Sequence, residues 1–170
     1  MGTEIRAARP EEKDRVWAIF SRVIAAGDSY VFEPDSPIDV FETGWWGYHP
    51  FVAVIDQEVA GTFILRPNYR GLGSHVANAG FMVHPDFQGR GVGRAMGTAC
   101  LQEARKQGYA SIQFNMVVST NEPAVRLWTS LGFQISGTLP RVFQHSRFGL
   151  VDAYVMNRDL SDIELGGKEG

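Results

Sequence analysis

The sequence of 170 residues has a single cysteine, Cys100, which excludes an intramolecular disulfide and a zinc site built on cysteines. Cys100 falls within a helical pattern with no activating histidine near it in the sequence, so we predict a packing role for its thiol. No apolar run approaches the length that crosses a membrane, and the first residues lack the apolar stretch of a signal peptide. We therefore expect a cytoplasmic protein with no membrane partner.

A large excess of charge of either sign is also missing. The net charge is −3 at pH 7, so the chain as a whole offers no basic surface for nucleic acid. Hydrophobic residues make up 44% and charged residues 21%, which is typical of a globular protein. We predict a single domain over residues 1–160 and a disordered tail over 161–170. Any anion-binding site must then be local.

The spacing of apolar residues predicts an α/β chain. Trp17, Phe20, Val23 and Ile24 recur at helical spacing after Pro10 and should face the core. Residues 27–50 are irregular and rich in aromatic side chains, which either pack under loops or line a substrate pocket. The predicted strands are 3–8, 51–55, 59–65, 75–83, 110–118, 141–144 and 150–157, and the later predicted helices are 91–107 and 121–131.

Three glycines alternate at the junction between the predicted strand 75–83 and the predicted helix that follows it. Gly89, Gly91 and Gly93 allow a sharp turn and a close approach of backbone to a ligand. A helix start carries N–H groups without partners and the positive end of the helix dipole. Arg90 and Arg94 add positive charge at the same place. The turn is therefore predicted to bind a phosphate or pyrophosphate.

Two familiar phosphate-binding motifs do not fit this turn. A Walker A loop requires Lys and then Ser or Thr after the last glycine, where this chain has Arg94 and Ala95. A dinucleotide fingerprint requires a third glycine where Met96 stands. A glycine-rich turn without a ligand is the remaining alternative, and it leaves the two arginines unexplained.

The segment Gln88-x-x-Gly91-x-Gly93 resembles motif A of the GCN5-related N-acetyltransferase (GNAT) superfamily. The segment from Asn121 to Phe133 is similar to motif B of the same superfamily. The resemblance implies the GNAT fold: a single mixed, mostly antiparallel central sheet, with one parallel pair of strands that splays apart, flanked by helices. It also implies acetyl-CoA as cosubstrate and no metal. Homodimers are common in this superfamily, but no residue pattern here predicts one.

The resemblance also assigns residues to the cofactor. Backbone groups of Phe81 and Val83 should pair with the pantetheine arm, and the glycine turn should bind the pyrophosphate. Asn121 should reach the cofactor. The residues expected at the cofactor are Phe81, Met82, Val83, Gln88, Gly89, Arg90, Gly91, Val92, Gly93, Arg94, Asn121 and Trp128.

Asn78 and Asn115 are amides in otherwise apolar strands, where an unpaired amide costs about 1–3 kcal/mol. They either pair with each other or cap the splay of the sheet, or they act in catalysis by orienting a substrate carboxylate or carbonyl or by holding a water. The resemblance places the acetyl thioester between them. Together with Asn121 they are similar to fungal acetyltransferases that act on proline analogues such as azetidine-2-carboxylate. Trp128 stands where many GNAT enzymes have a tyrosine acid, and an indole cannot act as an acid near neutral pH. Trp128 is then either core or cofactor-facing.

The predicted function is direct N-acetylation of a small-molecule amine, an amino acid or a proline-like analogue. The alternatives are acetylation of a protein N-terminus or lysine and a non-catalytic acetyl-CoA-binding domain. Glu33, His75, His84 and His145 are the candidates for a general base, and His84, beside Pro85, is expected to be structural.

Overall fold

The computed structural model describes residues 2–165. Within them the chain forms seven strands and four helices, with short 3₁₀ turns between some of these elements. The strands are β1 Glu4–Ala7, β2 Phe51–Ile55, β3 Glu58–Pro67, β4 Val76–Val83, β5 Ser111–Val118, β6 Gln134–His145 and β7 Gly149–Asp159. The helices are α1 Lys13–Ala25, α2 Ile38–Gly44, α3 Val92–Lys106 and α4 Glu122–Ser130. None of these helices is both long and apolar enough to cross a membrane.

One sheet with the order β1-β2-β3-β4-β5-β7-β6 holds all seven strands. Every neighbouring pair is antiparallel except β4 and β5, which are parallel. That parallel pairing is limited to Val76 with Ser111 and Ala77 with Ile112, after which the two strands diverge. The predicted mixed sheet with a splayed parallel pair is therefore confirmed.

Each face of the sheet is covered by a separate apolar cluster. On one face α3 and α4 pack through residues such as Met96 and Trp128, and on the other α1 and α2 pack through residues such as Phe20 and Phe41. Successive residues of a strand point to opposite faces, so β4 contributes Ala77 and Ala79 to the first cluster and Met82 to the second. Both faces of the central strands are thus buried.

The predicted helical faces are largely observed. Phe20 and Ile24 of α1 are buried, whereas Trp17 and Val23 are half-buried at the margin of the same cluster. Cys100 lies in the core on α3, and burial raises the pKa of its thiol, so it has no nucleophilic character. The packing role predicted for it is confirmed.

Two segments differ from the sequence-based prediction. The irregular stretch 27–50 contains a helix, α2, whose single buried residue Phe41 is too little for a periodic signal. Strand β6 begins at Gln134 rather than near 141. Its register with β7 shifts between Leu139 and Phe143, where Arg141 has a φ of 51°, and this irregularity interrupts the alternation that would have indicated the start of the strand. Pro140 is compatible with this position because β6 is the edge strand of the sheet.

The predicted tail, 161–170, is described in part. Residues 166–170 lie outside the described residues. Of the remainder, Asp162 forms an ion pair with Arg158, with Nη1 and Oδ1 2.6 Å apart, and Ile163 packs against the core. The domain boundary at residue 160 stays a prediction.

Candidate functional site

A cleft of about 910 Å³ opens where β4 and β5 separate. Its walls are residues 78–83 of β4, 114–118 of β5, the turn before α3, one side of α4, and the segment 29–32. Asn78, Asn115 and every residue predicted at the cofactor line this cleft except Arg90. The structure therefore brings together positions that are up to 50 residues apart in the chain. We call the end at Gln88–Arg94 the donor end and the end at Asn78 and Asn115 the acceptor end.

At the donor end, Gly89 and Gly91 hold a backbone conformation that side chains disfavour. Their φ angles are 74° and 79°, and a Cβ atom added to either would have nothing within 4 Å. Gly91 begins α3, whose first hydrogen bond runs from the Ala95 N–H to the Gly91 carbonyl at 3.0 Å. The N–H groups of the three residues between them have no partner within the helix. The turn is thus an open cradle of backbone donors that fits a pyrophosphate.

The third glycine of the motif has a different physical role. A Cβ on Gly93 would lie 3.2 Å from Leu127 Cδ2, and a Cβ on Gly97, one turn later, would lie 2.6 Å from Leu131 Cδ1. Both glycines allow α3 to approach α4 closely. This close approach brings Trp128 of α4 against the cleft.

The two arginines of the turn are oriented differently. Arg94 lines the cleft, and its Nη2 donates to Ser130 Oγ at 2.8 Å. The guanidinium of Arg90 lies over the Phe87 ring, 4.9 Å from its centroid, and Arg90 is absent from the cleft wall. Arg94 thus lies on the cleft wall, whereas Arg90 lies against Phe87 beside it, and the contribution of both charges to ligand binding stays a prediction.

Asn121 and Trp128 form the part of the donor end that comes from α4. Asn121 precedes the helix, and its Oδ1 accepts from the Ala124 N–H at 3.4 Å. The NH₂ group of the same side-chain amide is left for a ligand. Trp128 is 7% exposed and packs with Phe81 and Phe114, at ring-centroid distances of 4.6 and 4.9 Å. Trp128 is thus a core residue with one edge on the cleft, and an indole at this place supplies no acid.

Tyr30 was noticed in the sequence only as one of several aromatic residues, yet it contacts the strand expected to pair with the cofactor. Its hydroxyl accepts from the Phe81 N–H at 2.7 Å and donates to the Phe81 carbonyl. Burial raises the pKa of the Tyr30 phenol, so it stays neutral at physiological pH. Pairing of a pantetheine arm with Phe81 therefore requires Tyr30 to give up both contacts.

The acceptor end contains a chain of side-chain amides. Asn68, just beyond β3, accepts from Asn78 Nδ2 at 3.1 Å and from Asn115 Nδ2 at 2.7 Å. It also donates from Nδ2 to Asn115 Oδ1 at 3.1 Å. Gln113 extends the chain by donating from Nε2 to Asn115 at 2.9 Å and to the Tyr69 hydroxyl at 2.9 Å. The two predicted asparagines are therefore joined through Asn68 rather than paired directly.

Asn68 is a residue that sequence reasoning missed because it lies in a loop. The signal that could have found it is the polar pair Arg66 and Asn68 directly after an apolar strand, opposite Asn78 in a hairpin. Its main chain N–H donates to the Val76 carbonyl at 2.8 Å, which fixes the residue beside β4. Asn68 does not line the cleft but positions two residues that do.

None of the four candidates for a general base lines the cleft. His84 contacts the Asp86 N–H and Arg22, which agrees with the structural role expected for it, and His145 accepts from the N–H groups of Arg147 and Phe148 in the β6–β7 turn. His75 and Glu33 are exposed away from the cleft. Within residues 2–165 the cleft wall contains no histidine, aspartate or glutamate.

The described part of the chain contains no cluster of three His, Cys, Asp or Glu side chains arranged as a metal site would require. The polar groups of the cleft are hydroxyls, amides, guanidinium groups and backbone N–H groups. Such groups bind anions and orient carbonyl or carboxylate groups.

Comparison with known proteins gives a consistent result. Residues 17–133 match the Acetyltransferase (GNAT) family. N-acetyltransferase aca1 of Schizosaccharomyces pombe is 37% identical over 107 residues, which cover 61% of this chain and 50% of that protein. The L-amino acid N-acyltransferase MnaT of Escherichia coli is 25% identical over 144 residues, 81% of this chain and 83% of MnaT. The chain thus spans about half the length of aca1 and most of MnaT.

Among solved structures, a GCN5-related N-acetyltransferase from Kribbella flavida superposes with a TM-score of 0.87 at 36% sequence identity. The superposition covers 92% of this chain and 97% of that one. The same fold therefore extends over nearly the whole chain, from β1 through β7.

Proposed function

The chain belongs to the acetyltransferase (GNAT) family, and from this premise we propose that it transfers the acetyl group of acetyl-CoA directly to a small-molecule amine. The proposed acceptor is an amino acid or a proline-like analogue. The observation that carries the proposal is one cleft with an anion cradle at one end and a chain of asparagine amides at the other. MnaT, which aligns over most of its length, is by its name an L-amino acid N-acyltransferase.

The donor end fits acetyl-CoA, the acyl donor of the family, which supplies an activated thioester when bound. The N–H groups at the start of α3, the open space beside Gly89 and Gly91, and Arg94 would hold its pyrophosphate. Residues 78 to 83 span about 17 Å at ~3.3 Å per residue, which leaves room along β4 for the pantetheine arm. The thioester would then lie near Asn78 and Asn115.

The acceptor end provides orientation rather than acid–base chemistry. Amides cannot remove a proton, and the cleft within the described residues has no histidine or carboxylate. We infer that, as the amide bond forms and the thioester C–S bond breaks, the amine proton leaves to water and the CoA thiolate takes up a proton from water, so the rate rises with pH as more of the acceptor becomes neutral. The contribution of the enzyme is then positioning of the amine against the thioester, which needs no covalent acyl-enzyme.

The test is release of free CoA thiol from acetyl-CoA with a panel of acceptors. The panel contains proline, azetidine-2-carboxylate, primary L-amino acids, a peptide with a free N-terminal alanine and a peptide with an internal lysine. We expect acetylation of the free amino or imino acids, confirmed by mass spectrometry of the product. Acetylation of the peptides alone would favour a protein acetyltransferase. Tight CoA binding without thiol release above the acceptor-free control for any amine would favour a non-catalytic domain.

A further inference from the structure

The charges on the cleft wall are unusual in that both are positive. Within residues 2–165 the charged side chains of the wall are Arg66 and Arg94. Arg94 belongs to the donor end, where it contacts Ser130 and would lie near a pyrophosphate. Arg66 belongs to the acceptor end, because it is the cross-strand partner of Asn78 in the β3–β4 pair. A bound pyrophosphate would neutralise the charge of Arg94 but would leave Arg66 without a counter-ion.

Arg66 lacks the partners that a partly buried guanidinium normally has. Its Nε is buried without a hydrogen-bond partner, and none of the ion pairs in the described part of the chain includes it. Its Cζ lies 4.9 Å from the centroid of the Tyr48 ring, which holds the planar group without neutralising it. Only the Nε of Arg66 is buried, and its terminal nitrogens are not among the buried unpaired atoms, so the half-buried guanidinium has donors that a ligand on the cleft wall can reach.

We propose that Arg66 binds the carboxylate of the acceptor, which makes the substrate class 2-amino or 2-imino carboxylates. This inference rests on the proposed acetylation of a small amine, and it adds the residue that selects the acceptor, Arg66. A guanidinium binds a carboxylate through two parallel hydrogen bonds, and its neighbour Asn78 can contact the same ligand. The wall would thus anchor the acid group of the acceptor and present its amine toward the splay of β4 and β5.

The same charge distribution bears on which amines are accepted. Two cations and no carboxylate on the wall disfavour a bound ammonium ion unless its own carboxylate pairs with Arg66. Polyamines and lysine side chains carry no such carboxylate, so we expect them to be poor acceptors.

The test compares azetidine-2-carboxylate with azetidine-2-carboxamide, which has the same ring and amine but an uncharged amide in place of the carboxylate. The variants are Arg66→Met and Arg66→Lys, and the control is Arg70→Met, which removes an exposed cation outside the cleft. We expect Arg66→Met to raise KM for the carboxylate at least about tenfold, the low end for a lost hydrogen bond to a charged group. KM for acetyl-CoA should not change, and kcat/KM for the carboxamide should not fall, because the carboxamide has no carboxylate to lose a contact. The lysine variant should recover part of the loss, and Arg70→Met should behave like the wild type.

Equal losses for carboxylate and carboxamide in Arg66→Met would overturn the inference while leaving the proposed function intact. A wild-type enzyme that acetylates both at the same kcat/KM would overturn it as well. If the wild type acetylates neither acceptor, the readout is calorimetric binding of N-acetylproline to the CoA complex. Binding that is lost in Arg66→Met then supports the carboxylate site, and no binding to the wild type contradicts it.

Discussion

At the donor end of the cleft most of the candidate binding groups are backbone N–H groups of one short segment, Gln88–Arg94, whereas at the acceptor end the polar groups are side chains from several segments. Arg66 comes from β3, Asn68 from the following loop, Asn78 from β4 and Asn115 from β5. The donor end therefore depends on which residues lack a side chain. The acceptor end depends on which side chains are present and on what holds them.

This difference has a consequence for how each end responds to substitution. Backbone donors survive most side-chain changes, so the donor end fails only where a glycine is required or a charge is reversed. Side-chain donors are removed one at a time, so the acceptor end should lose specificity in steps. One acyl donor with varied acceptors is then a natural outcome of the architecture.

The largest effect should come from Gly91→Asp at the donor end. It places a carboxylate where the pyrophosphate would lie and forces a non-glycine residue to a φ of 79°. We expect the affinity for acetyl-CoA to fall by at least about 100-fold, from charge repulsion and strain together. Isothermal titration calorimetry with acetyl-CoA measures this directly.

The matched control is Gly149→Asp in the β6–β7 turn. Gly149 has a φ of 71°, and a Cβ added there also meets nothing within 4 Å, but it lies outside the cleft wall. It should carry a similar strain, of order 1–3 kcal/mol, with no change in acetyl-CoA affinity. If both variants bound acetyl-CoA as the wild type does, the turn would not be the donor site.

The same contrast determines how much of the site is predictable from sequence. The donor end was predictable because its groups are contiguous, so alternating glycines after a strand and before a helix are visible without the fold. At the acceptor end only Asn78 and Asn115 stood out, as polar residues in apolar strands. Asn68 and Arg66 lie at a strand end, where polar residues are ordinary, and only the β3–β4 register brings them beside Asn78.

The same contrast between contiguous residues and residues that only the fold brings together applies to the secondary structure. Strands β2, β3, β4 and β5 and helix α3 were predicted to within a few residues because their apolar periodicity is long and strong. Helix α2 was missed because it is seven residues long with one buried side chain, and the start of β6 was missed because Pro140 and the bulge interrupt its alternation. Register and bulges are set by tertiary packing, which local spacing does not encode.

A smaller effect is expected from Asn68→Ala at the acceptor end. Asn78 and Asn115 both lose the side chain that orients them, because the three hydrogen bonds of the Asn68 side chain are removed, so kcat/KM for the acceptor should fall about tenfold. Acetyl-CoA affinity should not change. Steady-state kinetics with varied acceptor, together with calorimetry for acetyl-CoA, separates the two ends.

A double-mutant cycle sharpens this test. Asn78→Ala should also impair turnover, and the double variant should lose less than the sum of the two, because Asn68 acts in part by positioning Asn78. Gln107→Ala, which removes a surface amide bonded to Glu103, is the control and should leave kinetics unchanged. Strictly additive losses would show that the amides act independently rather than as one chain.

The smallest effect should come from Tyr30→Phe, where the two ends of the cleft meet. In the wild type, the Tyr30 hydroxyl holds the Phe81 N–H and carbonyl that the pantetheine arm would use. Without the hydroxyl these groups are unpaired in the free protein, so the free energy of unfolding should fall by about 1 kcal/mol. Acetyl-CoA should bind about threefold to fivefold more tightly, because it no longer displaces Tyr30.

If Tyr30 competes with acetyl-CoA for Phe81, acetyl-CoA affinity rises while stability falls in Tyr30→Phe. If Tyr30 supports acetyl-CoA binding, both fall. Calorimetry should show the tighter binding, and denaturant unfolding should show the lower stability in the same variant. Tyr69→Phe removes a hydroxyl of the amide chain at the acceptor end and should leave acetyl-CoA affinity unchanged. Weaker acetyl-CoA binding by Tyr30→Phe would mean that the hydroxyl contacts the donor itself, and Tyr30 would then belong to the donor end rather than mark its boundary.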